Sequence, residues 1–338
     1  MPTERRRTMY DNIGGEMKIL SDCTAKNAAC IFRYAEKRMA RTAELAHIVC
    51  RKILSGSDAD IMDVICTSDE AREEYISGKK ALECDALTGL ANENEAANLK
   101  RTLSLCDVLY FCREISRFGG KTYAAADAER WLSDGDIIQY PRAGDVKIAF
   151  VRGRQANDAF AEFARYIHGG AMPYGEESFA DVCQSVYSGI AEYGIIPVEN
   201  SSDGRLASFY GMFEKFGLYI IMLCEVRSGD GESYTKFALC SRSVKALMAD
   251  GEKTLHFRLT LDSPDGITAL LYGGRYYGAS LRRAEPIPVS AAGRENSFDI
   301  SFCVDGADLA GFICCLKLEY PQFSTVGLYT SVKAGDGV

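Results

Sequence analysis

Apolar side chains recur every three or four positions through Ile31, Tyr34, Ala35, Met39, Ala43, Ala46, Val49, Cys50 and Ile53. That spacing draws one stripe along a long amphipathic helix. Ser55-Gly56-Ser57 ends it, with Gly56 suited to the left-handed conformation that closes a helix. A second helical region is expected over Ser68–Lys80. A third runs from Glu93 to Arg117, where Leu103, Cys106, Leu109, Tyr110, Arg113 and Ser116 keep helical spacing until Gly119-Gly120. Three such helices predict a bundle.

The pattern changes after the turn-rich stretch Tyr140-Pro141-Arg142-Ala143-Gly144-Asp145, which reads as a domain boundary. Strands are expected over Val146–Val151 and Tyr193–Val198, with helices over Ala156–Ile167, Phe179–Ser188 and Ser208–Phe216. This alternation predicts an α/β layer with a mainly parallel sheet. Strands Leu218–Val226 and Phe237–Ser241 follow, separated by the turn Ser228-Gly229-Asp230-Gly231. From Lys253 the order is strand Thr254–Leu261, helix Ile267–Tyr277, strands Ser280–Val289 and Ser297–Val304, helix Ala307–Leu318 and strand Gln322–Ser331. That βαββαβ order is a ferredoxin-like split βαβ unit. The expected class is therefore multi-domain α and α/β, divided at 1–143, 144–251 and 252–338.

Composition narrows the function classes. Of 338 residues, 47% are hydrophobic and 25% charged, which excludes a disordered chain. Acidic residues outnumber basic ones 47 to 39, for a net charge of −8. This is the wrong sign for a general nucleic-acid or anionic-membrane binder, so neither partner is expected. Thirteen cysteines without a CxxC pair suggest reduced, buried thiols and a cytoplasmic protein, with no metal and no cofactor. His47, His168 and His256 are too dispersed to predict a metal or triad set. The basic Arg5-Arg6-Arg7 reads as a solvated end.

The stretch Tyr193-Gly194-Ile195-Ile196-Pro197-Val198-Glu199-Asn200-Ser201-Ser202-Asp203-Gly204 resembles the signature of prephenate dehydratases. Phe179-Ala180-Asp181-Val182 and Ser185-Val186-Tyr187-Ser188-Gly189 are similar to the helix before that signature. Tyr234-Thr235-Lys236-Phe237 is similar to the family's Thr-Arg-Phe motif. The tail resembles an ACT regulatory domain, with Gly266-Ile267-Thr268-Ala269-Leu270-Leu271 and Glu285-Pro286-Ile287-Pro288 at its two motifs. Ala35-Glu36-Lys37-Arg38-Met39 and Leu109 through Arg117 resemble the first and last helices of a chorismate mutase bundle. The whole chain thus has the outline of the bifunctional chorismate mutase/prephenate dehydratase family.

The resemblance implies a phenylalanine-biosynthesis chemistry in which a general acid protonates a departing hydroxyl while donors hold two carboxylates. Carried over by motif, the catalytic residues are Thr235 as acid, Lys236 and Phe237 beside it, and Glu199, Asn200 and Ser201 as the donor turn. Gly266, Leu270, Leu271 and Glu285 become candidate ligand-binding residues of the ACT-like part, and Arg38 the central arginine of the mutase part. Prephenate, chorismate or an aromatic amino acid is the implied ligand, and a homodimer or higher homo-oligomer the implied assembly.

Several positions depart from the family. Lys236 replaces a fork-shaped arginine, Ala156 replaces a glycine beside Gly153, and Asp158 stands where the family has an aromatic residue. Val49, Ser21 and Gly120 occupy positions where the mutase carries lysine, arginine and glutamine, with Arg51 or Lys52 as partial substitutes. Only 36 positions separate Glu199 from Thr235, whereas the family inserts about 60 to 70 further residues there, enough for a second small lobe. A one-walled cleft cannot surround a substrate. These departures favour a non-catalytic member with a sensing or assembly role in aromatic amino acid metabolism. The alternative is an active carbon-oxygen lyase with altered site residues.

Overall fold

The computed structural model describes residues 25–83, 93–133, 146–229, 232–245, 247, 251–263, 266–287 and 296–334. Arg5–Arg7, Ser21, the turn at 140–145, Asp230-Gly231 and Pro288-Val289 lie outside these residues. The chain divides into two compact units.

The first unit is helical. It holds α1 (Ala25–Leu54), α2 (Ile61–Thr67), α3 (Asp69–Glu83), α4 (Glu93–Ser116), α9 (Gly266–Tyr276) and α10 (Leu309–Glu319). Met39, Ala46, Val49 and Cys50 of the α1 stripe are buried, as the spacing predicts. Gly56 closes α1 at φ 81°. Tyr75 of α3 and Phe111 of α4 are fully buried and stack 5.4 Å apart. Gly78 lets Val49 of α1 and Phe111 of α4 close on α3, since a Cβ there would lie 2.6 Å from Val49 and 3.1 Å from Phe111. The α2 helix was not anticipated; Asp60 caps it by accepting from the Met62 amide. The expected ACT-like segment supplies α9 and α10 to this unit and its strands to the other.

The second unit is built on one ten-stranded sheet. Its elements are α5 (Ala125–Leu132), β1 (Val146–Val151), α6 (Arg154–Ala164), β2 (Ala171–Glu176), α7 (Phe179–Tyr187), β3 (Tyr193–Asn200), β4 (Gly204–Arg205) and α8 (Ala207–Phe216). They continue with β5 (Tyr219–Arg227), β6 (Tyr234–Ser241), β7 (Lys253–Thr260), β8 (Ser280–Pro286), β9 (Ser297–Cys303) and β10 (Ser324–Lys333). The strand order is β2-β1-β3-β6-β5-β10-β7-β9-β8, with β4 beside β3.

The sheet is mixed, which corrects the mainly parallel expectation. β1 runs parallel to β2 and β3, and β5 to β10, but β6 is antiparallel to both β3 and β5. The turn between β5 and β6 is too short for a crossover, so its strands pair antiparallel. At the far end β10-β7-β9-β8 is the 4-1-3-2 order of a split βαβ unit, with β7 antiparallel to both β10 and β9.

Two core clusters cover opposite faces of the α/β part. Ala159 and Phe163 of α6 pack with Phe237 and Leu239 of β6. Val182 and Val186 of α7 and Phe213 of α8 pack with Ala238 and Cys240. Successive residues of β6 therefore face different helices, as strand alternation requires. Among the described residues, no helix is long and apolar enough to cross a membrane.

Candidate functional site

The motif residues of β3 form a tight hairpin into β4. Asn200 accepts hydrogen bonds through Oδ1 from the amides of Ser202 (3.0 Å) and Asp203 (2.6 Å), and its amide group donates to Asp203 (2.9 Å). Gly204 takes φ 68°, a left-handed conformation that favours glycine. Ser201 is spent in the same way. Its amide donates to the Tyr234 carbonyl (3.0 Å), and its hydroxyl accepts from the Tyr234 amide (3.2 Å). Asn200 and Ser201 thus shape the turn and join it to β6.

A β-bulge at Val198 decides where Glu199 points. Pro197 pairs with Phe237, but the next pair is Glu199 with Lys236, so β3 spends one extra residue. The bulge turns Glu199 to the Lys236 face. There its carboxylate accepts from Lys236 Nζ (2.7 Å), Tyr234 OH (3.0 Å) and Arg283 of β8 (3.2 Å). Burial raises the Glu199 pKa, but these three partners outweigh it and hold the group below the ordinary carboxylate value.

Thr235 lies on the other face, the one that Phe237 shares with α6. Its hydroxyl donates to Gln155 Oε1 (3.2 Å), and the Gln155 amide donates to Ser228 (3.2 Å), which also receives Ser233 (2.6 Å). Gln155 sits in the first turn of α6, whose N-cap is Gly153. Phe237 itself is 6% exposed and belongs to the core. The structure therefore groups Thr235 with the Gly153 turn, and Lys236 with Glu199 on the opposite side of the sheet.

Residues 156–227 match the family described as prephenate dehydratase. That segment is prephenate dehydratase-like. Over 86 residues the chain is 27% identical to a bifunctional chorismate mutase/prephenate dehydratase of Enterobacter agglomerans, covering 25% of this chain and 22% of that protein. The chain thus matches under a quarter of that relative's length. Several solved structures are similar, among them two prephenate dehydratases. A prephenate dehydratase from Streptococcus mutans is 17% identical, with a TM-score of 0.45, over 55% of this chain and 99% of that one. A prephenate dehydratase in complex with L-Phe, from Arthrobacter aurescens, is 14% identical, with a TM-score of 0.42, over 55% and 90%.

The dehydratase-like segment opens, on the Lys236 face, into a cavity of about 520 Å³ that continues along β7, β9 and β10. At its floor His256 Nε2 lies 2.5 Å from Asp299 Oδ1, and Arg205 and Arg258 reach the same carboxylate at 2.8 and 3.1 Å. Tyr329 OH stands 3.3 Å from His256 Nδ1. Neutral imidazole with its proton on Nε2 donates to Asp299 and accepts from Tyr329, and Arg205, whose NH2 lies 3.1 Å from the same nitrogen, is then held by Asp299 rather than by the ring. Burial lowers the His256 pKa and, helped by Arg205 and Arg258, outweighs the opposing pull of Asp299. Burial raises the Asp299 pKa, but His256 and Arg205 hold it well below the ordinary carboxylate value.

This cluster escaped the sequence reading, which treated His256 as isolated. Its signal was a polar residue at every second position of otherwise apolar strands: His256 and Arg258 in β7, Asp299 and Ser301 in β9.

The remaining candidates divide between the units. Gly266, Leu270 and Leu271 all lie in α9; Leu270 is buried, and Pro264-Asp265 just before the helix lies outside the described residues. Glu285 lies in β8, paired with Arg283 (2.7 Å) and Arg205 (3.5 Å). In the helical unit Arg38 is bound to Asp107 of α4 through Nε (2.8 Å) and NH2. Val49 is buried in that unit's core, while Arg51, Lys52 and Gly120 are exposed.

Proposed function

We propose that this chain is a non-catalytic, prephenate dehydratase-like protein with a sensing role in aromatic amino acid metabolism. In this reading it comprises a mutase-like helical part, a one-lobe dehydratase-like part and an ACT-like part. One observation carries it: Lys236, which dehydration would need to hold a substrate carboxylate, is itself held by the Glu199 carboxylate at 2.7 Å, while Thr235 is engaged by Gln155 at 3.2 Å. An acid and a carboxylate clamp act together only when both reach the same bound molecule. Lys236 is moreover neutralised by Glu199. Among the described residues between Asn200 and Tyr234 the elements are β4, α8 and β5, with no second lobe to close over a ligand. The 4-1-3-2 strand order supports the ACT-like assignment. The engagement of Arg38 by Asp107 supports a structural bundle.

The test is a coupled assay with prephenate on the full chain. No turnover above the uncatalysed rate is expected. Turnover that disappears in Thr235→Ala would overturn the proposal. Calorimetric titration with phenylalanine, tyrosine and tryptophan addresses the sensing part, for which binding of at least one is expected.

A further inference from the structure

The helical unit buries three thiols side by side. Cys112 of α4 hydrogen-bonds with both Cys314 and Cys315, the adjacent pair on α10. All three are free and buried, Cys112 and Cys314 completely. A row of polar groups leads out from them. The Cys112 thiol donates to the Tyr75 hydroxyl (3.7 Å), that hydroxyl donates to Glu319, and Lys79 Nζ holds the two oxygens of Glu319 at 2.8 and 2.7 Å. Each donor points from sulfur towards the carboxylate, so the row can carry a proton in that direction. Tyr75, Lys79 and Glu319 also line a cavity of about 240 Å³. Cys112 therefore lies one side chain behind the cavity wall. All these residues belong to the helical unit.

We infer that Cys112 is a redox-active thiol, which a hydroperoxide entering beside Tyr75 converts into a reversible disulfide with Cys314 or Cys315. The inference goes beyond the sensing reading and does not depend on it. Adjacent residues stand about 3.8 Å apart at Cα, closer than the roughly 4.4 Å at which disulfides begin, so Cys314 and Cys315 do not oxidise each other within α10. Cys112 is the partner either can reach. Its proton passes to Tyr75 as the tyrosine proton passes to Glu319, and the Tyr75 hydroxyl then donates to the thiolate. Burial raises the Cys112 pKa, but hydrogen bonds with Cys314, Cys315 and Tyr75 outweigh it and hold the group below the ordinary thiol value. The thiolate attacks one peroxide oxygen. The S–O bond forms as the O–O bond breaks, and the departing hydroxide takes the proton held at Glu319 and leaves as water. The second cysteine then attacks the sulfenic sulfur; the S–S bond forms, the S–O bond breaks, and the hydroxyl leaves as a second water with that thiol's proton. Two thiols have lost two electrons to one peroxide, and α4 is tied to α10.

The test adds hydrogen peroxide to the full reduced chain, then unfolds it, alkylates the remaining thiols and maps the peptides. A crosslink between the Cys112 peptide and the peptide holding Cys314-Cys315 is expected, and dithiothreitol should return both thiols. Tyr75→Phe keeps the ring that stacks on Phe111 but breaks the proton row, and should slow crosslinking about tenfold without lowering its final yield. Cys112→Ser should abolish the crosslink, with a thermal melt to verify folding; the map of the parent chain decides the matter even if that variant does not fold. Cys112 still open to alkylation once the partly exposed Cys66 has been oxidised would overturn the inference. So would a Tyr75→Phe chain that crosslinks as fast as the parent. Neither result touches the non-catalytic reading, which is judged by prephenate turnover alone.

Discussion

His256 and Asp299 both make the fold sensitive to acid, through different windows. The folded His256 pKa lies below its ordinary 6.5, so on acidification the unfolded chain takes up a proton first, and stability falls as the pH drops below about 6.5. Asp299 is held below its ordinary 3.8. Its contribution is complete above that value and is lost as the pH falls through the folded pKa. Urea unfolding of His256→Gln should therefore lose the slope just below pH 6.5 while keeping the steeper fall near pH 4; an unchanged slope would count against the assignment. Asp299→Asn leaves Arg205 and Arg258 without their shared carboxylate and should cost about 3 kcal/mol at neutral pH, as broken buried pairs do. The motif residues around them were legible for a different reason. Asn200, Asp203 and Gly204 are types a tight turn demands, and the structure uses them so. The partner of Lys236 was not legible, because one extra residue in β3 cannot be counted without its neighbour strand.

Within β10, Gly327 sits against the backbone of β5. A Cβ added at Gly327 would lie 2.1 Å from the Ile220 carbonyl oxygen of β5, beside the register shift in the β5–β10 pairing. Gly327→Ala must push two paired strands apart, at a cost of about 3 kcal/mol. A chemical denaturation midpoint within error of the parent's would show that the strands yield more easily than this. Most element spans could be read from periodicity, and β1, α7 and α9 fall within two residues of expectation. β2 escaped, since Ala171-Met172-Pro173-Tyr174-Gly175-Glu176 carries a proline and a glycine, and its outer edge has no partner strand among the described residues. Proline is tolerated only at such an edge, so the feature that hid the strand also fits its place.

Across the whole second unit, pairing order is what the sequence concealed. Most strands could be recognised on their own, yet nothing local states that β6 lies between β3 and β5, or that β10 lies between β5 and β7. Those adjacencies arise from contacts far apart along the chain. They also place the strand at 324–333 at the junction of the dehydratase-like and split βαβ parts of the sheet. During synthesis β5 and β7 would leave the ribosome with adjoining edges open, and the strand that fills them is the last to emerge of all those described. Non-local pairing of this kind is slow and leaves edges exposed while it waits. A chain released after residue 321 would present two unfilled strand edges instead of one closed sheet. Its fate in a cell would be decided by chaperones and proteases before any ligand could matter.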